Sequence, residues 1–186
     1  QIVYYFSAYF QIPKDKSNIN FSVPTGNFGD AYAGYVAKKM GLPIDKIIIA
    51  TNQNDILDRI IRTGEYVKSK VYKTHSPSMD IQIASNFERL LFELLGQNPD
   101  ELNRLMNLLE NNNGFTINAS LRNSLEKDFS SGSLSDIETI QTINDYYREK
   151  NVLLCPHSAI GVKVAEESLD PNNITISLAT AHPGKF

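Results

Sequence analysis

The pattern of apolar positions along the first third of the chain predicts alternating strands and helices. Residues 1–11 are almost wholly apolar or aromatic, and the length and alanine content of this run favour a buried helix. A polar, turn-like stretch follows over Pro13–Asn18. The elements predicted next are a strand over Ile19–Val23, a helix over Asp30–Met40, a strand over Lys46–Thr51 and a helix over Asn54–Thr63.

Helical periodicity dominates the middle of the chain. Residues 65–83 are predicted to be extended or looped, and the helices predicted after them are Ser85–Leu95, Pro99–Glu110, 119–128 and 135–150. Ser130–Ser133 is predicted to be flexible and exposed to solvent. The alternating pattern then returns, with a strand over Val152–Cys155, a helix over Ser158–Ser168 and a strand over Ile174–Ala179.

This alternation predicts an α/β fold in which helices flank an open, mostly parallel sheet, with a helical insertion. We divide the chain into an α/β part (1–83), a mainly helical insertion or side layer (84–150) and an α/β part whose strands return to the sheet (151–186). The helical part is expected to lie beside the sheet. The first part is expected to carry a ligand site, which the strands of the last part complete.

The beginning of the sequence suggests that the chain is incomplete at the N-terminus. It does not begin with Met, and its apolar first segment would have to be buried on nearly all sides. Natural chains rarely begin inside a core element, because termini usually lie at the surface. We therefore expect a piece of a longer polypeptide, and the alternative is a processed terminal helix docked on its own domain.

Composition excludes several classes of function. The chain has 186 residues with 18 basic and 21 acidic side chains, a net charge of −3, so it lacks the basic excess of a nucleic-acid-binding protein. Its single cysteine, Cys155, excludes a disulfide framework and a multi-cysteine zinc site and is expected to be a small core residue. No apolar run reaches the roughly 20 residues that a membrane helix needs. We expect a cytoplasmic protein with no metal, nucleic-acid or membrane partner.

The most informative local sequence is the turn between the first predicted strand and its helix, formed by Thr25, Gly26, Asn27, Phe28 and Gly29. The start of a helix offers backbone N–H groups and a positive dipole end, and both favour an anion. Glycines let a phosphate approach the backbone, and Thr25 and Asn27 can add side-chain donors. The turn has neither the ending of a Walker loop nor the spacing of a dinucleotide fingerprint. On spacing alone, a tight turn without a ligand explains it as well as a phosphate site does.

Several motifs, in the same order along nearly the whole chain, resemble those of threonine synthases. The glycine turn alone would not identify the family, but the combination is highly specific, and the region around 97–135 is the least similar part. The matching segments are Val23–Asp30, Lys38–Pro43, Ala50–Asn52, Ser76–Ile81, Ala84–Arg89, Cys155–Gly161 and Ala179–Phe186.

The resemblance implies a fold-type II enzyme that uses pyridoxal 5′-phosphate (PLP) to convert O-phospho-L-homoserine and water into L-threonine and phosphate. It implies that Gly26, Asn27, Phe28 and Gly29 bind the cofactor phosphate, and that Thr180 is the hydroxyl partner of the pyridine nitrogen. A loop of backbone N–H groups suits a dianion, and a threonine after a strand suits a ligand site in an open sheet.

One departure from the family concerns the reacting lysine. The family holds PLP as a Schiff base on a lysine in a Phe-Lys-Asp context, and no lysine of this chain has that context. The resemblance therefore places this lysine, and much of the substrate-phosphate site, upstream of Gln1, in an N-terminal segment that would act as the partner of this chain. We predict no threonine synthase activity from the chain alone. The alternatives are a non-catalytic phosphate- or PLP-binding relative and, less favoured, a domain without a ligand.

The remaining candidates have weaker support. His157 is expected to cap or pack at the start of a helix. His182 and Lys185 follow the carboxyl end of a strand, where ligands bind in open sheets, so they are candidates for the same pocket as Thr180. The segment Ser85–Arg89 has the pattern of a capped helix start, and the resemblance places it near the active site.

Overall fold

The computed structural model describes residues 1–13, 18–170 and 172–185, so most of the predicted turn over Pro13–Asn18 lies outside the described residues. The strands are β1 (Ile19–Pro24), β2 (Ile44–Asn52), β3 (Glu65–Val67), β4 (Gly114–Thr116), β5 (Phe129–Leu134) and β6 (Ile174–Ser177). Four of them form a parallel sheet in the order β5-β2-β1-β6. β3 and β4 form a separate antiparallel pair. The open parallel sheet expected from the sequence is confirmed.

The helices agree with the predicted ones to within two residues at each end. They are α1 (Ile2–Tyr9), α2 (Gly29–Lys39), α3 (Ile56–Thr63), α4 (Phe87–Leu94), α5 (Pro99–Asn111), α6 (Ala119–Asp128), α7 (Asp136–Lys150) and α8 (Pro156–Glu167). Short 3-10 helices lie at Pro77–Met79 and Pro183–Lys185. None of the helices in the described part of the chain has the length and apolar character that a membrane span requires.

Helices cover both faces of the sheet. The side chains of β2 alternate between two clusters, because successive residues of a strand point to opposite faces. Ile47 and Ile49 belong to the large core that α2 to α6 share, whereas Ile48 and Ala50 belong to a smaller cluster with Ile160 of α8. The sheet is therefore buried on both faces, as the apolar run over Lys46–Thr51 indicates, and α8 lies opposite α2 and α3.

The segment Ser130–Ser133 is a strand, so the prediction of a flexible stretch is wrong. Of its residues only Ser133 is exposed, and the other three are half-buried. It forms the centre of β5, which pairs in parallel with β2 at one edge of the sheet. Its serines carry no hydrophobic alternation, and Gly132 leaves room for Val164 of α8, which a Cβ would approach to 2.8 Å. The buried residues at the two ends, Phe129 and Leu134, hold the strand in place.

The prediction of a strand over Val152–Cys155 is also wrong. These residues form an irregular connection between α7 and α8, and Val152 and Leu153 are exposed. Cys155 is buried, and its sulfur accepts a hydrogen bond from the backbone N–H of Ser158 at 3.3 Å, so it is the N-cap of α8. A short apolar run does not distinguish a buried strand from a connection whose side chains face outward.

The first segment is a helix, as predicted, but it is not buried on nearly all sides. Val3, Tyr4 and Phe10 are 65%, 64% and 76% exposed. Only Tyr5 is buried, and its hydroxyl donates to the carbonyl of Asp30 at 2.8 Å. Its ring lies so close to α2 that a Cβ on Gly34 would come within 2.7 Å of it. The small residue in α2 therefore accommodates α1.

We expect Gly34→Ala to destabilise the protein, although alanine is the better helix former. The added methyl group would overlap the buried Tyr5 ring, so we expect a loss of about 1–3 kcal/mol in the free energy of unfolding, measured with urea. The control is Met40→Ala at the exposed end of the same helix, for which we expect a change within about 0.5 kcal/mol. A Gly34→Ala protein as stable as the parent would contradict this packing.

Candidate functional site

A cavity of about 530 Å³ opens beside the start of α2, at the carboxyl ends of β1 and β6. Ligands of open α/β sheets bind at this edge, where the strands end and the loops leave room. Its walls come from the glycine turn, the segment at Pro77–Met79, α8 and the residues that follow β6. The lining residues used below are Gly26, Asn27, Asp30, Ser78, Met79, His157, Thr180 and Lys185.

Phe28 anchors the glycine turn in the core. Its backbone is left-handed, with φ 67° and ψ 4°, which is uncommon for a bulky residue. The ring is buried, with its centroid 5.2 Å from that of Phe87 in an edge-to-face arrangement and 5.8 Å from that of Phe129. Because the side chain is in the core and does not line the cavity, Phe28 offers a ligand its backbone alone.

Hydrogen bonds close the turn and connect it to α4. The backbone N–H of Gly29 donates to Oδ1 of Asn27 at 2.9 Å. The carbonyl of Asn27 accepts from the backbone N–H of Asn86 at 3.0 Å and from its Nδ2 at 3.1 Å. Asn86 is the N-cap residue of α4, so it is the residue of the Ser85–Arg89 segment that holds the turn.

Gly26 is the point where the turn meets the opposite wall. A Cβ at this position would lie 2.5 Å from the carbonyl oxygen of Ser78 and 3.3 Å from Cα of Met79. Both are backbone atoms, and the Met79 side chain is buried in the cluster that contains Ile48 and Ile160. The wall cannot move aside, so the close approach of the two backbones at Gly26 requires glycine.

The start of α2 combines backbone donors with one buried acceptor. The N–H of Gly29 is bound by the Asn27 side chain, and the next amides of the first turn have no partner within the helix. The helix dipole adds a positive potential at this end. Asp30 lines the cavity, and its Oδ1 is buried without a hydrogen-bond partner among the described residues. Burial raises the pKa of this carboxyl. The turn therefore offers donors to an anion and a carboxyl oxygen to a donor.

The cavity is also lined by Thr180, Lys185 and His157. Thr180 lies beyond the carboxyl end of β6, and Lys185 lies in the second 3-10 helix. His157 belongs to the first turn of α8 and is buried. Burial lowers the pKa of His157, the charge of Lys185 lowers it further, and the charge of Asp80 opposes the shift. His157 is therefore neutral at pH 7, and it contributes an uncharged, buried side chain to the wall of the cavity.

Two residues that we expected near the ligand do not line the cavity. Thr25 is buried, and its hydroxyl donates to the carbonyl of Val23 at 2.5 Å. His182 is exposed, and its Nδ1 accepts from the backbone N–H of Gly184 at 3.1 Å. Conversely, Ser78 and Met79 line the cavity. The sequence indicated the motif that contains them but no role for either residue.

Comparisons with known proteins identify the family. The family model described as "Threonine synthase, C-terminal" matches residues 158–186. The threonine synthases of Pseudomonas aeruginosa and Saccharomyces cerevisiae are 44% and 46% identical to this chain over all of its length. A solved structure, PLP-bound threonine synthase from Brucella melitensis, is 49% identical over 99% of the chain, with a TM-score of 0.95. The chain is a threonine synthase homologue.

The homologue spans about 40% of the length of each of these relatives. Within that span, the agreement of fold and sequence confirms the resemblance on which the cofactor assignment depends. Threonine synthases are PLP-dependent lyases, and the Brucella melitensis enzyme was solved with PLP bound.

We expect Gly26→Ala to be more damaging to this threonine synthase homologue than Gly29→Ala. The first substitution drives a methyl group into the Ser78 carbonyl, whereas the second meets only the side-chain amides of Asn27 and Asn86, at 3.1 and 3.3 Å. We expect Gly26→Ala to lower the free energy of unfolding in urea by about 1–3 kcal/mol, with a smaller loss for Gly29→Ala. The reverse order would contradict the close approach at Gly26.

Proposed function

We propose that the chain is the cofactor-binding portion of a cytoplasmic threonine synthase, which forms L-threonine and phosphate from O-phospho-L-homoserine and water. The observation that carries this proposal is the glycine turn at the mouth of the cavity, in a chain 49% identical to a threonine synthase solved with PLP. The turn indicates a site for an anion, and the homology supports PLP as the ligand that carries this anion.

The glycine turn is the proposed site of the PLP phosphate. Gly26 and Asn27 line the cavity, and the backbone at Phe28 and Gly29 begins α2, where amides and helix dipole favour a dianion. Gly26 has no side chain to cover these amides, so a phosphate can approach the main chain from the cavity. These residues fit the cofactor: the donors belong to one short turn at the start of α2, and the anchored Phe28 fixes their direction.

Thr180 is the proposed partner of the pyridine nitrogen, and it lines the same cavity from beyond β6. PLP supplies the electron sink for the reaction, and the protein orients and tunes it. A hydroxyl orients the ring without holding the ring nitrogen protonated, as a carboxylate would. Lys185 and His157 line the same cavity.

The reacting lysine is proposed to lie in a part of the polypeptide that precedes Gln1. None of the lysines of this chain has the Phe-Lys-Asp context of the family. The chain would then bind PLP without a covalent bond and would have no synthase activity by itself.

The rival proposal is a non-catalytic relative that binds PLP or phosphate. It shares the glycine turn and the cavity, so binding does not separate the two. The separating feature is the residue at the lysine position upstream of Gln1: a lysine supports the enzyme, and any other residue supports the rival.

Thr180 provides a matched pair of variants for the cofactor assignment. Thr180→Val removes the hydroxyl at nearly constant shape, and Thr180→Ser retains it. We expect Thr180→Val to weaken PLP binding by about three- to tenfold, the value of one hydrogen bond, and to change the absorbance of the bound cofactor. Thr180→Ser should bind PLP like the parent. Equal affinity and equal spectra for the two variants would remove Thr180 from the cofactor site.

Borohydride reduction tests the position of the lysine. Treatment of the PLP-loaded 186-residue chain should give no covalent adduct by mass spectrometry and no L-threonine or phosphate from O-phospho-L-homoserine. The longer polypeptide should gain the mass of PLP on a peptide upstream of Gln1 and should turn over the substrate. An adduct on a lysine of this chain, or turnover by the chain alone, would contradict the proposal.

A further inference from the structure

A cluster of neutral donors surrounds the carboxylate of Asp80 at the carboxyl end of β2. Its Oδ1 accepts hydrogen bonds from Nδ2 of Asn52 at 2.8 Å, from Nδ2 of Asn54 at 3.2 Å and from the hydroxyl of Thr74 at 2.7 Å. Its Oδ2 accepts from the backbone N–H of Thr74 at 2.9 Å. The salt bridges of the described residues do not include Asp80. Amide and hydroxyl donors thus hold this carboxylate.

Other contacts fix the direction of these donors. Oδ1 of Asn52 accepts from the backbone N–H of Asn54 at 2.8 Å and from its Nδ2 at 3.0 Å, so the Nδ2 of Asn52 must face Asp80. Oδ1 of Asn54 accepts from the backbone N–H of Tyr72 at 2.8 Å. Asn52 and Asn54 are buried. The side-chain amides of Asn52 and Asn54 cannot flip without losing hydrogen bonds, so both present their NH2 groups, and not their oxygens, to the Asp80 carboxylate.

The cluster holds the wall of the cavity that faces the glycine turn. Asp80 directly follows the 3-10 helix Pro77–Met79, whose Ser78 carbonyl is the nearest atom to a Cβ built on Gly26. On the other side of the helix, Ser76 accepts from Nδ2 of Asn52 at 2.9 Å through its hydroxyl. Both ends of the wall are therefore tied to the end of β2, a rigid central strand of the sheet.

We propose that Asp80 is a positioning residue for the cavity: its carboxylate fixes the Ser76–Met79 wall at its distance from Gly26 and so sets the affinity for the phosphate-bearing ligand. This inference rests on the proposed function, because the ligand in question is PLP. Asp80 does not line the cavity. It acts through Ser78 and Met79, and its loss should leave the donors of the glycine turn unchanged. Its charge also acts on His157, so amide exchange at Met79 is the measurement that reports on the wall itself.

The variant that isolates this role is Asp80→Asn, which keeps the shape but turns one acceptor into a donor that faces other donors. We expect PLP to bind about tenfold more weakly, because the new Nδ2 would face the N–H of Thr74 and because the charge that strengthens the hydrogen bonds at Oδ1 is lost. We also expect faster hydrogen exchange at the Met79 amide, which donates to the carbonyl of Ser76 at 2.9 Å. Asp100→Asn, on the exposed start of α5, is the charge-matched control and should change neither quantity.

An exchange of side chains tests the pairing itself. In the double variant Asn52→Asp with Asp80→Asn, an acid at 52 accepts from the amide at 80 and from the hydroxyls of Thr74 and Ser76. We expect the double variant to bind PLP within about threefold of the parent and to recover slow exchange at Met79. A residue that contributes only to overall stability would not give this reciprocal recovery. If Asp80→Asn does not fold, Thr74→Val, which removes one donor, takes its place.

The outcomes separate this inference from the proposed function. PLP affinity and Met79 exchange that are both unchanged in folded Asp80→Asn would overturn the positioning role while leaving the function intact. If the parent chain does not bind PLP, the proposed function fails, and with it the claim that Asp80 sets ligand affinity. In that case hydrogen exchange at Met79 alone decides whether Asp80 fixes the Ser76–Met79 wall. Faster exchange in Asp80→Asn that the double variant reverses supports this role, and unchanged exchange overturns it.

Discussion

The contact between Gly26 and the Ser78 carbonyl is the constraint on which the site depends. It brings two stretches of main chain together at the mouth of the cavity, with no room for a Cβ between them. Each stretch is anchored separately: the turn by the buried Phe28 ring, and the opposite wall by Met79 in the second hydrophobic cluster. A site that is fixed before its ligand arrives does not lose binding energy to ordering.

The sheet explains why these anchors lie where they do. β1 and β2 run in parallel through the centre, so their carboxyl ends meet at one edge, where the glycine turn follows β1 and Asn52 ends β2. The same edge receives the residues after β6, including Thr180. Segments far apart in sequence therefore build one cavity, which is lined by the start of α2 and by Thr180.

Sequence patterns predicted the helices and the two central strands because apolar side chains determine both. Ile47, Ile48 and Ile49 form an apolar run because β2 is buried on both faces. β5 has no such signal, since its middle residues are serines and a glycine at the sheet edge, and its position follows from pairing with β2. Val152 and Leu153 gave a false strand signal, because their apolar side chains are exposed.

The candidate site was predictable in part. Gly26 and Asn27 were found from the strand–turn–helix pattern, and Thr180 from the resemblance, and all three line the cavity. Thr25 was not separable from them by sequence, because its hydroxyl bonds to its own strand, as short polar side chains often do. The wall at Ser78 depends on hydrogen bonds between Asp80 and residues almost 30 positions earlier, which no local pattern indicates.

The most direct measurement is a titration of the ¹⁵N-labelled chain with PLP, followed by the chemical shifts of its backbone amides. If the glycine turn binds the cofactor phosphate, the largest shifts will occur at Asn27, Phe28 and Gly29, will saturate, and will be reproduced at these amides by inorganic phosphate. Saturable shifts centred elsewhere, such as the groove between α7 and α8 around Tyr146 and Lys163, or no saturable shift at all, would contradict a cofactor site at this turn.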